Sequence, residues 1–226
     1  MQEKLKSEGK CLFCNKTFAK AGINKHLSTH LDEIAKSGQT GQSYLVKVET
    51  DNSWGSTPYF LSLWIDGETT MKAIDKFLRD VWLECCGHLS KFEGAGMSKK
   101  AGNVFAKGMQ LDYEYDFGST TSLTLTVVGE YPVKADKEIV LLSRNEPLEI
   151  MCCSCKKAPA TEICMVCSYD GDAEFCDNCA EKHAKECEDF ADYASMPVVN
   201  SPRMGVCGYE GGSIDTERDG VFVLKK

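Results

Sequence analysis

The sequence predicts an α+β fold: a central mixed or antiparallel sheet roll with one main helix, flanked by small Cys/His-rich modules. Strand-like segments lie before and after a single amphipathic helical segment within residues 44–142, an order typical of α+β domains. Regularly spaced cysteines and histidines fall outside that region. We therefore predict a division of the chain into four segments, with boundaries at 8–36, 40–148, 150–192 and a tail at 193–226.

Composition limits the classes of function. The chain has 226 residues, of which 27% are charged and 42% hydrophobic, as in an ordinary globular protein. It has no apolar run of the roughly 18 residues that a membrane span needs, so no membrane partner is expected. The first ten residues lack the apolar segment of a secretory signal. The thirteen cysteines are thus expected in a reducing, cytoplasmic location, where metal binding is favoured over disulfides.

Charge argues against a general nucleic-acid binder. The net charge is -8, whereas binding to phosphates requires a basic surface. Residues 1–36 are the exception, with seven lysines against four acidic residues. Contact with a polyanion is therefore expected at the N-terminus, if anywhere. A solvated basic face is the simpler interpretation of the same lysines.

Residues 11–30 have the spacing C-x2-C-x11-H-x3-H. Four such side chains can hold a tetrahedral Zn²⁺, and a unit of about 30 residues has too small a core to fold without one. The stretch resembles classical C2H2 zinc fingers, with Phe18 and Ile23 at the two buried apolar positions and an inter-pair spacing one residue short. The predicted zinc ligands are Cys11, Cys14, His26 and His30.

DNA reading by this finger is not expected. Such fingers contact bases from helix positions -1, 3 and 6, which here hold Ala19, Gly22 and Lys25. Ala and Gly offer no hydrogen bonds to base edges. We expect a structural or protein-docking finger, and phosphate or RNA contact would use Lys16, Lys20 and Lys25.

The sequence of the central region predicts one helix and five strands. The helix, 71–86, starts at Thr69 or Thr70 as N-cap and stops at Gly87, with an apolar stripe facing the core. The polar turn NSWGSTP follows the first strand, and a Gly- and Lys-rich loop occupies 94–103. The predicted strands are 44–50, 59–66, 109–116, 121–129 and 138–142.

Three stretches of this region carry a resemblance: YFLSLWIDGETTMKAIDKFLRDVW, HLSKF and YEYDFGS. Together they are similar to the plasmid pRiA4b ORF-3-like family. The resemblance implies a compact α+β roll over about 44–145, and its members have been labelled transposon-passenger or resolvase-like. Where the family has a second acid and an aromatic residue after D-F-G, this chain has Ser119, Thr120 and Thr121.

His88 and Asp116 remain from that motif as candidate catalytic residues. The competing interpretation is that His88 caps the helix end and Asp116 closes a tight turn before Gly118. Cys85 and Cys86 offer a thiol–imidazole alternative, although an adjacent pair on an apolar helix is more often packed. The chain has four dispersed arginines, which does not favour phosphoryl-transfer chemistry.

Eight cysteines and histidines lie between residues 152 and 187 with the spacing C-x2-C-x8-C-x2-C-x8-C-x2-C-x3-H-x3-C. Eight ligands fill two closed structural zinc sites. The spacing resembles B-box zinc fingers, which implies that alternate pairs share a metal, Cys152, Cys155, Cys176 and Cys179 on one ion and Cys164, Cys167, His183 and Cys187 on the other. Spacing alone leaves sequential pairing open, and Cys153 could replace Cys152. Cys207 is expected to be a spare buried thiol.

Three functional hypotheses follow. The first is a non-enzymatic, zinc-stabilised interaction or adaptor protein with three Zn²⁺ per chain and a protein partner, favoured by closed sites and acidic residues between the ligands. The second is a nucleic-acid-associated, mobile-element-related zinc-finger protein using the basic finger and Lys99, Lys100 and Lys107. The third is an enzyme that uses a central cleft with His88 and Asp116.

Overall fold

A computed structural model describes residues 5–50, 58–212, 214–216 and 222–224. At the N-terminus, β1 (Glu8–Lys10) and β2 (Thr17–Ala19) form an antiparallel hairpin, and α1 (Lys20–Ala35) follows directly. Asn15 lies in the turn with φ 58°, a left-handed conformation that asparagine tolerates well. This turn returns the chain after Cys14 so that β2 can pair with β1.

The α+β prediction is confirmed, and the main sheet is antiparallel with six strands. In chain order these are β3 (Thr40–Thr50), β4 (Phe60–Asp66), β5 (Ser90–Phe92), β6 (Gln110–Tyr115), β7 (Thr121–Val133) and β8 (Ile139–Arg144). They lie in the order β5-β6-β7-β3-β4-β8. β5, within HLSKF, was not predicted, and β7 runs four residues further than predicted. The predicted turn NSWGSTP lies almost wholly outside the described residues.

The main helix is shorter than predicted. α2 (Met71–Leu78) begins at Thr70, whose hydroxyl accepts from the backbone N–H of Ala73. A π-helical turn, Arg79–Leu83, then ends it, with extended backbone at Glu84. The predicted end at residue 86 is therefore wrong, because Cys85 and Cys86 lie beyond the helix. Gly87, with φ 86°, turns the chain back towards β5, a conformation that suits glycine.

Both faces of the sheet are buried, by different elements. α2 and the π-helical turn cover one face through Ile74, Leu78 and Trp82. α1 covers the other, since Leu27 and Leu31 belong to the same apolar cluster as sheet residues such as Trp64. All seven residues of β4 are buried, as expected for a strand with apolar packing on both sides. The finger helix is thus part of the hydrophobic core of the central domain.

The C-terminal module has little regular structure. It comprises β9 (Glu162–Cys164), β10 (Glu174–Phe175), α3 (Asp177–His183), a π-helical turn Phe190–Ala194 and β11 (Ser195–Pro197). The three strands form one small sheet in the order β10-β9-β11. Four of the nine buried residues in its core are cysteines: Cys152, Cys164, Cys176 and Cys179.

The segment 198–212 packs back on the central domain. Ser201 Oγ donates to the carbonyl of Trp82 at 2.7 Å, and Arg144 Nη2 donates to the carbonyl of Asn200 at 2.7 Å. Beyond it, β12 (Ile214–Thr216) pairs with β13 (Phe222–Leu224) in an antiparallel ladder. None of the helices in the described residues has the length and apolar character needed to cross a bilayer.

Candidate metal centres

Four groups of cysteine and histidine side chains have their ligand atoms within 4.8 Å of one another. A tetrahedral zinc ion with Zn–S of about 2.3 Å and Zn–N of about 2.0–2.1 Å places two sulfurs about 3.8 Å apart, a sulfur and a nitrogen about 3.6 Å apart, and two nitrogens about 3.3 Å apart. These edge lengths test whether each group suits a metal. The sequence predicts three groups, so the predicted number is too low by one.

The finger cluster joins Cys11, Cys14, His26 and His30, as predicted. Cys14 Sγ lies 3.2 Å from His26 Nε2, and the two Nε2 atoms lie 3.1 Å apart, slightly inside the tetrahedral edges. Phe18 stacks on the His26 ring at 4.0 Å between centroids and restrains its orientation. Burial lowers the pKa of His26 below its ordinary value, which favours the neutral imidazole that a metal requires.

The lysines proposed for phosphate contact divide into two groups. Lys16 and Lys25 are exposed. Lys20 Nζ instead lies 2.8 Å from Glu49 Oε1 on β3, with both side chains more than four-fifths buried. Lys20 therefore links α1 to the sheet. Of the three lysines predicted to contact phosphate, Lys16 and Lys25 remain exposed for that role.

The first C-terminal cluster joins Cys152, Cys155, Cys176 and Cys179. Cys155 Sγ lies 3.8 Å from Cys176 Sγ, which equals the tetrahedral edge, and the backbone N–H of Cys155 points at Cys152 Sγ from 3.5 Å. Burial raises the pKa of the Cys152 thiol, but backbone N–H groups, led by that of Cys155, more than compensate and bring it to about 6. The thiolate form that binds a metal is thus favoured.

The second C-terminal cluster joins Cys164, Cys167, His183 and Cys187. Cys167 Sγ lies 3.5 Å from His183 Nε2 and 3.9 Å from Cys187 Sγ, again close to tetrahedral edges. Phe175 stacks on the His183 ring at 4.3 Å, as Phe18 does in the finger. The two clusters combine alternate ligand pairs, the arrangement implied by the B-box resemblance. Cys153 lies outside both.

A fourth cluster, Cys85, Cys86, His88 and Cys207, was not predicted. The expectation that Cys207 is a buried spare thiol is wrong, because Cys207 is exposed, and so is Cys86. Only Cys85 is packed against the core. The sequence did contain three ligand-type residues within four positions, Cys85, Cys86 and His88. The fourth, Cys207, is 119 residues away from His88, and no local spacing rule connects it with the other three.

His88 and Asp116, the candidate catalytic pair, do come together. His88 Nδ1 lies 3.5 Å from Asp116 Oδ1, while Asp116 also accepts the backbone N–H of Gly118, as the tight-turn interpretation expects. Arg203 is fully buried and donates to Asp116 Oδ2 at 2.6 Å, and this bond lowers the pKa of Asp116 to about 2. Sequence reasoning missed Arg203, which had appeared only as one of four scattered arginines.

His88 and Asp116 do not line a pocket that lies elsewhere among the described residues. That pocket, of about 560 Å³, lies between the end of α1 and the loop after β7, with Ile34, Asp66, Glu68 and Lys134 in its wall. Because His88 and Asp116 are not among its lining residues, the hypothesis of an enzyme with this pair in a central cleft gains no support from it.

Comparisons with known proteins give few relatives. No protein-family model matches the chain, and no curated protein matches it. Among solved structures, MM3350 from Methanosarcina mazei Go1, a protein of unknown function, is similar with 18% sequence identity and a TM-score of 0.36. The similarity covers 44% of this chain and 66% of that chain, slightly under two thirds of its length. The functional argument therefore depends on the side-chain geometry.

Proposed function

We propose that this chain is a zinc-stabilised, non-enzymatic interaction protein that binds a basic protein partner through its C-terminal module. The observation that carries the proposal is the pair of complete four-ligand clusters in residues 152–187. A structural zinc site is closed by four protein ligands, whereas a catalytic zinc keeps one position open for water or substrate. The two ions would thus hold the module together and leave its surface for binding.

Zinc is the metal that the ligand sets fit best. Sets of four Cys or of Cys with His, at tetrahedral spacing, are typical of structural zinc. The finger and the two C-terminal clusters meet these conditions, with sulfur–sulfur separations of 3.8 and 3.9 Å in the C-terminal pair. Their ligands are Cys11, Cys14, His26, His30, Cys152, Cys155, Cys164, Cys167, Cys176, Cys179, His183 and Cys187.

The surface of the C-terminal module supports a protein partner. Tyr169 is 84% exposed and Tyr193 56% exposed, and each lies beside the second cluster in the chain. Exposed tyrosines are enriched at protein interfaces, where they give a large contact area at a small cost in conformational entropy. Exposed acidic residues surround them, including Asp170, Asp189 and Asp192. A surface of this kind complements lysine- and arginine-bearing proteins.

The central domain fits the same proposal as a scaffold. Its sheet is covered on both faces by apolar side chains from α1 and α2. Membership of the pRiA4b ORF-3-like family, supported by the stretches YFLSLWID, HLSKF and YEYDFGS, would make this domain the family's roll with zinc modules added at both ends. In this proposal the cytoplasm, a reducing compartment, keeps the thiols available for zinc.

Nucleic-acid association is the competing function. It retains the exposed Lys16 and Lys25 of the finger and the exposed Lys99 and Lys107. Lys100 is less available, since its ammonium group pairs with Glu68. Fluorescence anisotropy with labelled DNA and RNA, at low and at moderate salt, tests this function. Binding that weakens steeply with salt would favour it over the protein-partner proposal.

The direct test of the protein-partner proposal uses the zinc-loaded full chain immobilised as bait. We expect a basic protein to be captured by the wild type and lost from the Tyr169→Ala/Tyr193→Ala double variant. Its binding to the purified wild-type chain should then weaken as salt rises. Leu12→Ala, which truncates a 44% exposed side chain of the finger, is the matched control and should capture the same protein. Equal capture by the wild type and the double variant would contradict the proposal.

A further inference from the structure

We propose that Cys85, Cys86, His88 and Cys207 bind a fourth zinc ion, which fastens the C-terminal segment to the end of the main helix. Three thiols and one imidazole are a Cys3His ligand set, one of the standard combinations of structural zinc sites. The four ligand atoms lie within 4.8 Å of one another. The inference is independent of the protein-partner proposal and of the three predicted zinc sites.

The distances between the four ligand atoms suit a tetrahedral ion. Cys86 Sγ lies 3.8 Å from Cys85 Sγ and 3.8 Å from Cys207 Sγ, and the tetrahedral sulfur–sulfur edge is about 3.8 Å. His88 Nε2 lies 3.0 Å from Cys86 Sγ and 3.2 Å from Cys207 Sγ, slightly inside the expected edge, as in the finger cluster. A disulfide would need two sulfurs about 2.05 Å apart, so the spacing favours a shared ion.

Backbone conformation brings the four side chains to one point. The chain leaves the π-helical turn at Glu84 in an extended conformation, and the positive φ of Gly87 turns it so that His88 faces back towards Cys86. On the other side, Cys207 itself has φ 52° and lies between Gly205 and Gly208, which also have positive φ. A left-handed conformation is costly for a cysteine, and a bound ion at its sulfur gives a reason for it.

Residues around the cluster complete the coordination environment. His88 Nδ1 lies 3.5 Å from the Asp116 carboxylate, which orients the ring so that Nε2 presents its lone pair to the cluster. A carboxylate behind the other nitrogen is the usual support of a zinc-bound histidine. Arg203 holds that carboxylate and also directs Nη2 at Cys85 Sγ from 3.6 Å, opposing the negative charge of three thiolates.

The alternative interpretation is that free thiols lie close together by chance, without binding a metal. Free thiols are usually buried as small apolar groups, yet Cys86 and Cys207 are both exposed. Their exposure therefore has no packing explanation. The cluster also joins two distant parts of the chain, because Cys86 and Cys207 are 121 residues apart. A zinc ion there would hold the turn around Cys207 next to the place where Arg203 is already anchored.

This fourth site differs from the other three in what it stabilises. The Ser201–Trp82 and Arg203–Asp116 hydrogen bonds hold the preceding part of the segment without any metal. Loss of the ion should thus free the turn around Cys207 while the sheet stays folded. The two C-terminal clusters instead lie inside a small module whose core contains their own ligands, and the finger cluster lies at the start of α1, which packs on the sheet.

Native mass spectrometry of the full chain, with metal quantification, tests the proposal. We expect four zinc ions in the wild type, and three in Cys207→Ser and in Cys86→Ser. Cys153→Ser removes a thiol outside every cluster and should retain four. Three ions in the wild type would overturn the fourth site and leave the other three standing. Four ions in both single variants would equally overturn it.

A second measurement needs no variant, in case the substitutions prevent folding. Cys86 and Cys207 are exposed, so as free thiols they are accessible to an alkylating reagent. In the zinc-loaded wild type we expect both to be protected, and mild chelation to expose them before the cysteines of the C-terminal module. Equal labelling before and after chelation, or a Cys86–Cys207 disulfide that persists in a reducing buffer containing zinc, would overturn the proposal.

Discussion

Truncation of Leu31 tests whether the finger helix is part of the central core. Leu31 has no exposed surface and lies in the apolar cluster that also contains Trp64, Tyr131 and Val133 of the sheet. Replacing a fully buried leucine by alanine costs about 2–5 kcal/mol, as lost burial plus the cavity left behind. Because these partners belong to the sheet, Leu31→Ala should lower the free energy of unfolding of the sheet itself by that amount.

The assay is urea denaturation in excess zinc, followed by far-UV circular dichroism and by hydrogen exchange of β3 and β7. The matched control is Leu12→Ala, whose side chain is 44% exposed, and a change there should stay within about 0.5 kcal/mol. The reasoning fails if Leu31→Ala accelerates exchange in residues 8–36 alone. That result would mean that the finger folds as an independent module and only touches the sheet.

Three further predictions concern the same architecture. Gly9→Ala places a methyl group 2.6 Å from the carbonyl oxygen of Arg144 and should lower the free energy of unfolding by about 1–3 kcal/mol. Gly22→Ala has open space around it and should raise the free energy of unfolding by up to about 1 kcal/mol. Urea denaturation measures both changes. Burial raises the pKa of Glu49, but its bonds to Lys20 and Lys47 outweigh that and leave it below the ordinary value. The ion pairs should thus stabilise the fold above the ordinary glutamate pKa of 4.5 and be lost as pH falls through the lowered pKa, so Glu49→Gln should flatten the acid limb of a stability–pH curve. Chelation of zinc should abolish exchange protection in 150–192 and leave the central strands protected; loss of protection throughout would contradict this.

The modules were predictable from the sequence because their signals are local. A C-x2-C pair followed by an H-x3-H pair defines its ligands by spacing alone, and the structure brings the same four residues of the finger together. The eight C-terminal ligands also come together as predicted, although only the structure separates alternate from sequential pairing. The strands and the main helix were predicted from patterns with periods of about 2 and 3.6 residues. Their predicted end residues contain errors, because local backbone geometry determines where an element ends. The π-helical turn after Leu78 has no such pattern.

Contacts between distant segments were not predictable. β4 lies in the mainly apolar run YFLSLWID, which indicates burial on both faces, yet nothing local tells which element covers the second face. The answer is α1, through Leu27 and Leu31. In the same way, Cys207 and Arg203 had ordinary surroundings in the sequence, and their partners Cys86 and Asp116 are 121 and 87 positions away.

The packing of the finger helix on the sheet bears on which part of the chain would bind a partner. A sheet with apolar residues on both faces needs a cover on each, and the buried stripe of α1 is used for that purpose. Two of the three finger positions that would read bases hold Ala19 and Gly22, which offer no side-chain hydrogen bonds. A metal ion held by its Cys/His cluster would therefore fix the start of a covering helix. Among the described residues, the apolar cluster of the C-terminal module contains no residue of the main sheet, and the module exposes Tyr169 and Tyr193. In the function that we propose, a partner binds to that module, and substitutions in the finger should affect stability before they affect binding.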